Sequence, residues 1–246
     1  MGKRHLKRVA APSTYRIPRK IYKFAVRVAP GPHGMEESIP VSTLLVYVLN
    51  IARNNREVKY ILRKGYLKID GKEIKDHRFP VGLMDVIELV PTREFFRVLP
   101  SKRYYIDLIK IREKEAKIKP CQIKRKLMVK GGRIQLTTHD GRNFLFEPED
   151  ENAKAKPGDV LILNLSKRKV EDYIPFEKDI IALIVKGAKM GEVGRISEVL
   201  KVHPLRPRIV RLVRDGTILE TLFRYVFPIG REKPIITLHG EVESGE

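Results

Sequence analysis

The stretch VSTLLVYVLNIARNNREVKYILRKGYLKIDGKEIKDHRFPVGLMDVIELV, Val41 to Val90, decides how the rest of the chain is read. Pro40 and Ser42 mark a helix start between Ile39 and Thr43, and Leu44, Leu45, Val48, Leu49 and Ala52 share one face, which predicts a helix ending near Asn54. Asn54 or Asn55 then caps a second helix. Glu57 stands in its first turn, where the helix dipole favours a carboxylate, and Val58, Ile61 and Leu62 form its apolar stripe. Gly65 closes it, free to adopt left-handed backbone. Leu67, Lys68 and Ile69 alternate as a strand into Asp70 and Gly71, a strong two-residue hairpin signal, and Asp85 to Leu89 alternates again. Two short helices followed by strands are expected.

The polar side of this unit is cationic. From Ser42 to Gly65 it carries Arg53, Arg56, Lys59, Arg63 and Lys64 against Glu57 alone, and Lys59, Arg63 and Lys64 lie off the apolar stripe. Charged residues normally occupy exposed helical positions, so a plain solvated face accounts for part of this. A surface that tracks phosphates accounts for its sign as well, and Lys68 and Lys72 continue it into the hairpin.

Composition agrees with a polyanionic partner. The 246 residues hold 50 Lys and Arg against 30 Asp and Glu, a formal net charge of +20, and 42% hydrophobic residues suffice for one or two domains or three small modules. A unit of about 50 residues buries only about 60% of its chain surface, so the stretch above is expected to lean on its neighbours. Nucleic acid and an anionic membrane are the candidate polyanions. The longest apolar run, Ile180 to Val185, is too short to span a bilayer, and no apolar segment follows the charged N-terminus, so a soluble, cytoplasmic protein is expected. Cys121 is the only cysteine, which excludes an internal disulfide.

Before Glu36 the chain has nine cations, Lys3, Arg4, Lys7, Arg8, Arg16, Arg19, Lys20, Lys23 and Arg27, and no acid. With Pro12, Pro18, Pro30 and Pro32 this reads as a basic tail that orders on an anionic partner, although the interleaved Tyr15, Ile17, Ile21, Tyr22, Phe24 and Val26 favour a docked segment. Thr92 to Pro100 reads as a connector. Ile106 to Ile111 fits either a strand or a short helix. Ile134 to Leu136 and Asn143 to Phe146 form an expected hairpin around Asp140-Gly141, Glu147 to Glu151 an acidic loop, Val160 to Leu163 a buried strand, and Ser166 to Phe176 a polar bridge. From Asp179 the pattern is all β: the apolar run from Ile180, a glycine-punctuated loop with Lys186, Lys189 and Arg195, and a hairpin at Asp215-Gly216 with Arg206, Arg208, Arg211 and Arg214 nearby. An acidic terminus begins at His239.

Catalytic chemistry is not signalled. Six histidines show no metalloprotease spacing, a lone cysteine cannot build a zinc ribbon, no G-x-S-x-G occurs, and Gly65 to Lys72 only mimics a phosphate loop, with Glu73 where Ser or Thr should stand. Cys121 precedes Lys124, Arg125 and Lys126, which could activate a thiol, but no partnering base accompanies it.

Asn55-Arg56-Glu57-Val58, Gly65, Ile69-Asp70-Gly71 and Asp85-Val86-Ile87 resemble the alpha-L RNA-binding motif. Asn55 and Val58 replace its common Arg and Ala, and the usual Gly before Asp85 is absent. Lys186-Gly187-Ala188-Lys189-Met190-Gly191-Glu192-Val193-Gly194-Arg195-Ile196 resembles the KOW motif of small SH3-like barrels. Lys3-Arg4-His5-Leu6-Lys7-Arg8, Ala10-Ala11-Pro12 and Ala29-Pro30-Gly31-Pro32-His33 resemble the opening of the small-subunit ribosomal protein four family of archaeal and eukaryotic type, and the likeness extends along the chain.

That resemblance implies an α+β, multi-module fold: a basic N-terminal extension (1–38), an alpha-L RNA-binding domain (39–92), a central β-rich domain (93–176) and an SH3-like KOW domain (177–246). It implies a structural, non-enzymatic protein of the small ribosomal subunit, with ribosomal RNA and neighbouring ribosomal proteins as partners and no cofactor, metal or small-molecule substrate. RNA contacts are then expected at Lys3, Arg4, Lys7, Arg8, Arg16, Arg19, Lys20, Arg53, Arg56, Lys59, Arg63, Lys64, Lys68, Lys72, Lys186, Lys189, Arg195, Arg206 and Arg208. An RNA-modifying enzyme or a polymerase-binding transcription factor are the competing readings.

Overall fold

The computed structural model describes residues 5–200 and 207–239. The chain is mostly β, built on three five-stranded antiparallel sheets with few helices. The first sheet runs in the spatial order Lys72–Glu73, Leu67–Ile69, Val86–Leu89, Glu94–Leu99, Asp107–Ile111. The second runs Asn143–Phe146, Ile134–Thr138, Ile118–Met128, Val160–Asn164, Lys169–Ile174, and the third Thr217–Leu222, Ile209–Arg214, Val193–Leu200, Ile181–Ile184, Val226–Gly230. Two-stranded ribbons pair Leu6–Lys7 with Phe24–Ala25 and Ser38–Pro40 with Pro80–Gly82.

In the deciding stretch, chain chemistry and structure agree closely at the second helix. Asn54 has extended backbone and its Oδ1 accepts from the amides of Arg56 (2.9 Å) and Glu57 (3.0 Å), while Glu57 Oε2 accepts the Arg53 amide at 2.7 Å. The Asn54 cap satisfies two donors that the helix leaves unpaired, contributing about 1 kcal/mol, and the Glu57 bond fixes the chain just ahead of it. The helix Asn55–Arg63 buries Val58 and Leu62, and Gly65 ends it at φ +69°. Ile69 pairs with Lys72 across Asp70-Gly71, both residues at positive φ, as a two-residue mirror-image turn requires. The first helix is shorter than its apolar face suggested. A single α turn, Val41–Thr43, widens into a π-type turn, Leu44–Val48, and Asn50 turns left-handed at φ +54°, so the helix stops before Asn54.

Two expected connectors are strands. Glu94–Leu99, assigned to a linker, lies between Val86–Leu89 and Asp107–Ile111, because Phe95, Phe96, Val98 and Leu99 pack inward and Arg97 between them is fully buried and bonded. Residues beyond 92 therefore extend the sheet of the deciding stretch. Lys169–Ile174, assigned to a polar bridge, pairs with Val160–Asn164 around a left-handed Arg168.

The N-terminal segment docks on protein instead of waiting for a polyanion. Tyr15, Ile17 and Ala11 are buried with Tyr47 against them. The Arg8 guanidinium donates to Pro18 O and Tyr47 Oη, and Arg19 donates to the carbonyls of Arg8, Ala11 and Pro12. Carbonyl oxygens thus do for these cations what phosphates were expected to do.

A buried ionic cluster ties the segments together. Lys119 Nζ lies 2.6 Å from Asp70 Oδ2, 2.6 Å from Asp85 Oδ1 and 3.2 Å from Asp140 Oδ2, with its side chain 1% exposed. Arg142 reaches Asp70 (2.5 Å) and Asp140 (3.0 Å), and His33 Nε2 sits 3.0 Å from both Asp85 oxygens. Burial alone pushes these carboxyls up, but Lys119 holds Asp85 and Asp140 well below the usual range, whereas Asp70 stays raised by burial and by its neighbour Asp85. His33 is seated against Gly82, where an added Cβ would come within 2.4 Å of the imidazole. Gly82→Ala should therefore expel His33 from Asp85 and cost about 1–3 kcal/mol. Limited trypsin digestion should then cut the first 35 residues sooner, as they contain many Lys and Arg sites.

The apolar cores are also shared. Leu83, Met84, Leu99 and Ile109 pack with Ile184, Leu212, Phe227 and others of the third sheet. Gln122 Nε2 donates to Gly158 O (3.3 Å) and Val226 O (2.8 Å), crossing from the second sheet to the third. Arg97 donates to Glu115 Oε1 (3.2 Å), Glu115 O (3.0 Å) and Ile118 O (2.8 Å), and the same Glu115 carboxylate accepts from the Thr237 amide (3.1 Å) and Oγ1 (2.6 Å).

Candidate nucleic-acid interface

The face of the helix Asn55–Arg63 is set by its core side. With Val58 and Leu62 fixed inward, Arg56, Lys59 and Arg63 are exposed, and Arg53 and Lys64 stand exposed at its two ends. Among the described residues no carboxylate lies within 4 Å of any of these five cations. Their field is felt locally: burial lowers the His77 imidazole below its ordinary value, and Lys59 lowers it further. Tyr60, 57% exposed, lies beneath the Lys64 ammonium, 5.8 Å from ring centroid to Nζ. An exposed aromatic ring among unpaired cations is the composition that stacks a base while holding its phosphate. Sequence reasoning missed Tyr60, although its spacing of four from Lys64 was a visible signal.

The hairpin contributes less uniformly. Lys72 is exposed without an ionic partner among the described residues, but Lys68 lies 3.6 Å from Glu88. In the N-terminal segment Lys7 and Lys20 are exposed. Arg8 and Arg19 are engaged as described, and Arg16 is bound to Asp107 at 2.8 Å with its guanidinium 3.6 Å over the Tyr104 ring. Those three arginines hold the segment down and have little left to offer a phosphate. Lys3, Arg4 and Arg206 lie outside the described residues, as does the terminus after His239.

In the third sheet Lys186 forms an ion pair with Glu37, Lys189 is half-buried, and Arg195 is exposed with its guanidinium on the carbonyls of Asp179 (3.1 Å) and Glu232 (3.3 Å). Arg208 is exposed over the Phe223 ring at 5.6 Å. Arg211, by contrast, is held by Glu220 (2.8 Å) and Glu198 (3.4 Å), and Arg214 by Asp215 (3.5 Å). The structure thus gathers one dense group, Arg53 to Lys64, and leaves the other candidates singly placed.

The chemistry of catalysis does not assemble at these positions. Among the described residues no group of three or more His, Cys, Asp or Glu could hold a metal ion, and no helix is long and apolar enough to cross a membrane. Burial pushes the Cys121 thiol up, with Asp140 adding to it, so the following basic run does not activate it.

Comparison with known proteins points one way. A model described as the ribosomal family S4e matches residues 92–170, and one described as the RS4NT domain matches residues 1–36. The small ribosomal subunit protein eS4 of Ignicoccus hospitalis is 43% identical over 244 residues, covering 96% of this chain and 95% of that protein. Its counterpart in Methanocaldococcus jannaschii is 40% identical over 241 residues, covering 96% and 98%. The crystal structure of the 30S ribosomal protein S4e from Thermoplasma acidophilum superposes with a TM-score of 0.70 at 29% identity, covering 81% of this chain and 99% of that one.

Proposed function

The chain belongs to the ribosomal S4e family, and from that premise we propose that it clamps folded small-subunit ribosomal RNA at several places through preformed cationic surfaces. It is a structural constituent of the small ribosomal subunit, not an enzyme, and takes its place there beside neighbouring ribosomal proteins. The observation that carries the RNA reading is the row Arg53, Arg56, Lys59, Arg63 and Lys64, exposed and without carboxylate partners among the described residues. Residues 39–92 act as an alpha-L RNA-binding domain with this row as its contact face and with its sheet completed by Glu94–Leu99 and Asp107–Ile111, residues 177–246 as an SH3-like KOW domain, the remainder of residues 93–176 as the β-rich body between them, and residues 1–38 as a basic extension. Of the cations named from the sequence, Lys7, Lys20, Lys72, Lys189, Arg195 and Arg208 join the row as exposed or half-buried supporting contacts, while Arg8, Arg16 and Arg19 serve mainly to seat the extension.

Double-helical RNA has a deep major groove that side chains cannot read, so recognition falls on backbone shape, 2′-hydroxyls and unstacked bases. With about 6 to 10 phosphates neutralised, affinity for a small-subunit RNA fragment should fall by about three to five orders of magnitude between 50 and 200 mM salt. Filter-binding titrations across that range measure it directly. A nearly flat salt dependence would contradict the clamp.

A further inference from the structure

A cleft of about 380 Å³ opens where four stretches far apart in the chain converge. Glu37 enters from the N-terminal segment, Tyr105 from the loop before Asp107–Ile111, Lys124 from the strand Ile118–Met128, and Lys186, Arg224 and Tyr225 from the third sheet. The glycine loop that begins at Lys186 is seated by close approaches. A Cβ on Gly191 would come within 2.8 Å of the backbone of Ser101 and Lys102, and Gly187, at φ +95°, lies at ordinary contact distance from the Tyr225 ring. Val185 N donates to Tyr225 O at 2.8 Å. These contacts bring Lys186 Nζ to 5.4 Å from the centroid of Tyr105.

The lining is short of negative charge. Three cations face one carboxylate, Glu37, and that carboxylate is already paired with Lys186. Lys124 Nζ donates to Gln122 Oε1 at 3.2 Å and, among the described residues, has no carboxylate within ion-pair distance, Glu37 acting on it only from further off. Its ammonium is held below the ordinary lysine value by the surrounding protein, with Lys186 adding to the effect against Glu37. Arg224 lies 4.9 Å over the Tyr225 ring and donates to its Oη at 3.1 Å. Surplus cations beside aromatic rings, in a cavity large enough for one small molecule, suit an aromatic ligand that carries an anion.

We propose that this cleft holds one unstacked nucleotide of an RNA strand, its phosphate between Lys124 and Arg224 and its base among the tyrosine rings. The inference rests on the RNA-binding reading above and adds a site to it. An RNA strand is favoured over an acidic peptide because base stacking uses the rings, and over a free nucleotide because a strand can also engage the exposed cationic row Arg53 to Lys64.

The test uses the full-length protein, a uridine tetranucleotide carrying one 4-thiouridine, a blunt RNA duplex and uridine 5′-monophosphate. Photocrosslinking should place the tetranucleotide on peptides containing Tyr105 or Tyr225. Lys124→Ala with Arg224→Ala, and separately Tyr225→Leu, should weaken tetranucleotide binding about tenfold or more, while Tyr225→Phe stays within about twofold of the parent. Duplex binding should change less than about twofold in all of them, which also reports that they fold. Retained duplex binding with tetranucleotide affinity unchanged across the variants overturns the cleft assignment and leaves the wider function standing. Failure of the parent protein to bind either RNA overturns both. Monophosphate binding as tight as the tetranucleotide overturns the choice of an RNA strand.

Discussion

Replacing Lys119 by Met should lower stability by about 3–5 kcal/mol at pH 7, the range found when one member of a buried charged group is removed and its partners are left uncompensated. Among the described residues Lys119 is the one cation that touches Asp70, Asp85 and Asp140 together. Methionine matches its length, so the loss is of charge and hydrogen bonding and not of volume. Urea denaturation measures it, and the pH dependence identifies its source. In the parent, Asp85 and Asp140 titrate below their unfolded values, so each contributes stability that is present above about pH 4 and is lost as pH falls through the folded value. Asp70 is raised and acts in the opposite sense, its contribution present below its unfolded value and lost as pH rises. Two depressed groups outweigh one raised group, and the parent should lose stability between about pH 5 and pH 2. Without Lys119 the buried carboxyls prefer the protonated state, so the variant should gain stability as pH falls from 7 to about 4, above the range in which the parent loses most of its own. A difference between the two proteins that stays constant from pH 7 to pH 4 would show that the ionic cluster is not its cause.

The second large effect is on binding. Lys59→Ala, Arg63→Ala and Lys64→Ala together should lower affinity for small-subunit RNA about a hundredfold near physiological salt and reduce the slope of log affinity against log salt by about 2–3, one counterion set per phosphate released. The thermal melt should shift little, because these side chains are exposed and unpaired among the described residues and the cap at Asn54 is untouched. Removing Lys59 also removes one of the groups holding the His77 imidazole down, so the His77 titration followed by NMR should move upward. Unfolding of the triple variant would mean that this face is part of the core, and an unchanged salt slope that RNA meets the protein elsewhere.

How much of this was legible in the chain depends on distance along it. The helix Asn55–Arg63, its Asn54 cap and the turns at Asp70-Gly71 and Asp215-Gly216 were readable because their determinants lie within a few residues: a capping amide, an i, i+3, i+4 stripe, a pair tolerant of positive φ. Glu94–Leu99 was not, since its run of apolar residues around a buried Arg97 has no strand alternation and becomes a strand only once neighbours pair on both sides. The ionic cluster was invisible for the same reason. Asp70 and Asp85 read as turn and strand-end residues, and nothing near them announced Lys119 or Arg142. Met84 illustrates a local rule overridden by packing. It takes φ +65°, a backbone region that favours glycine, and is nevertheless fully buried in the core shared with the third sheet. Charge was legible as a total but not as availability: Lys59 and Arg8 look alike in the sequence, yet one faces solvent and the other is spent on Pro18 and Tyr47.

The bond from Thr237 to Glu115 bears on how the protein emerges from the machine that makes it. Arg97 enters the interior with Glu115 as its counter-charge, and the second oxygen of that carboxylate is satisfied by a residue 122 positions later, near the end of the described chain. A nascent polypeptide therefore leaves the Glu115 carboxylate short of two donors until Thr237 has been made, and contacts closed across such a span form slowly. Growth of the chain past Thr237, and not folding of its first half alone, then completes the bonding around the Arg97 and Glu115 pair.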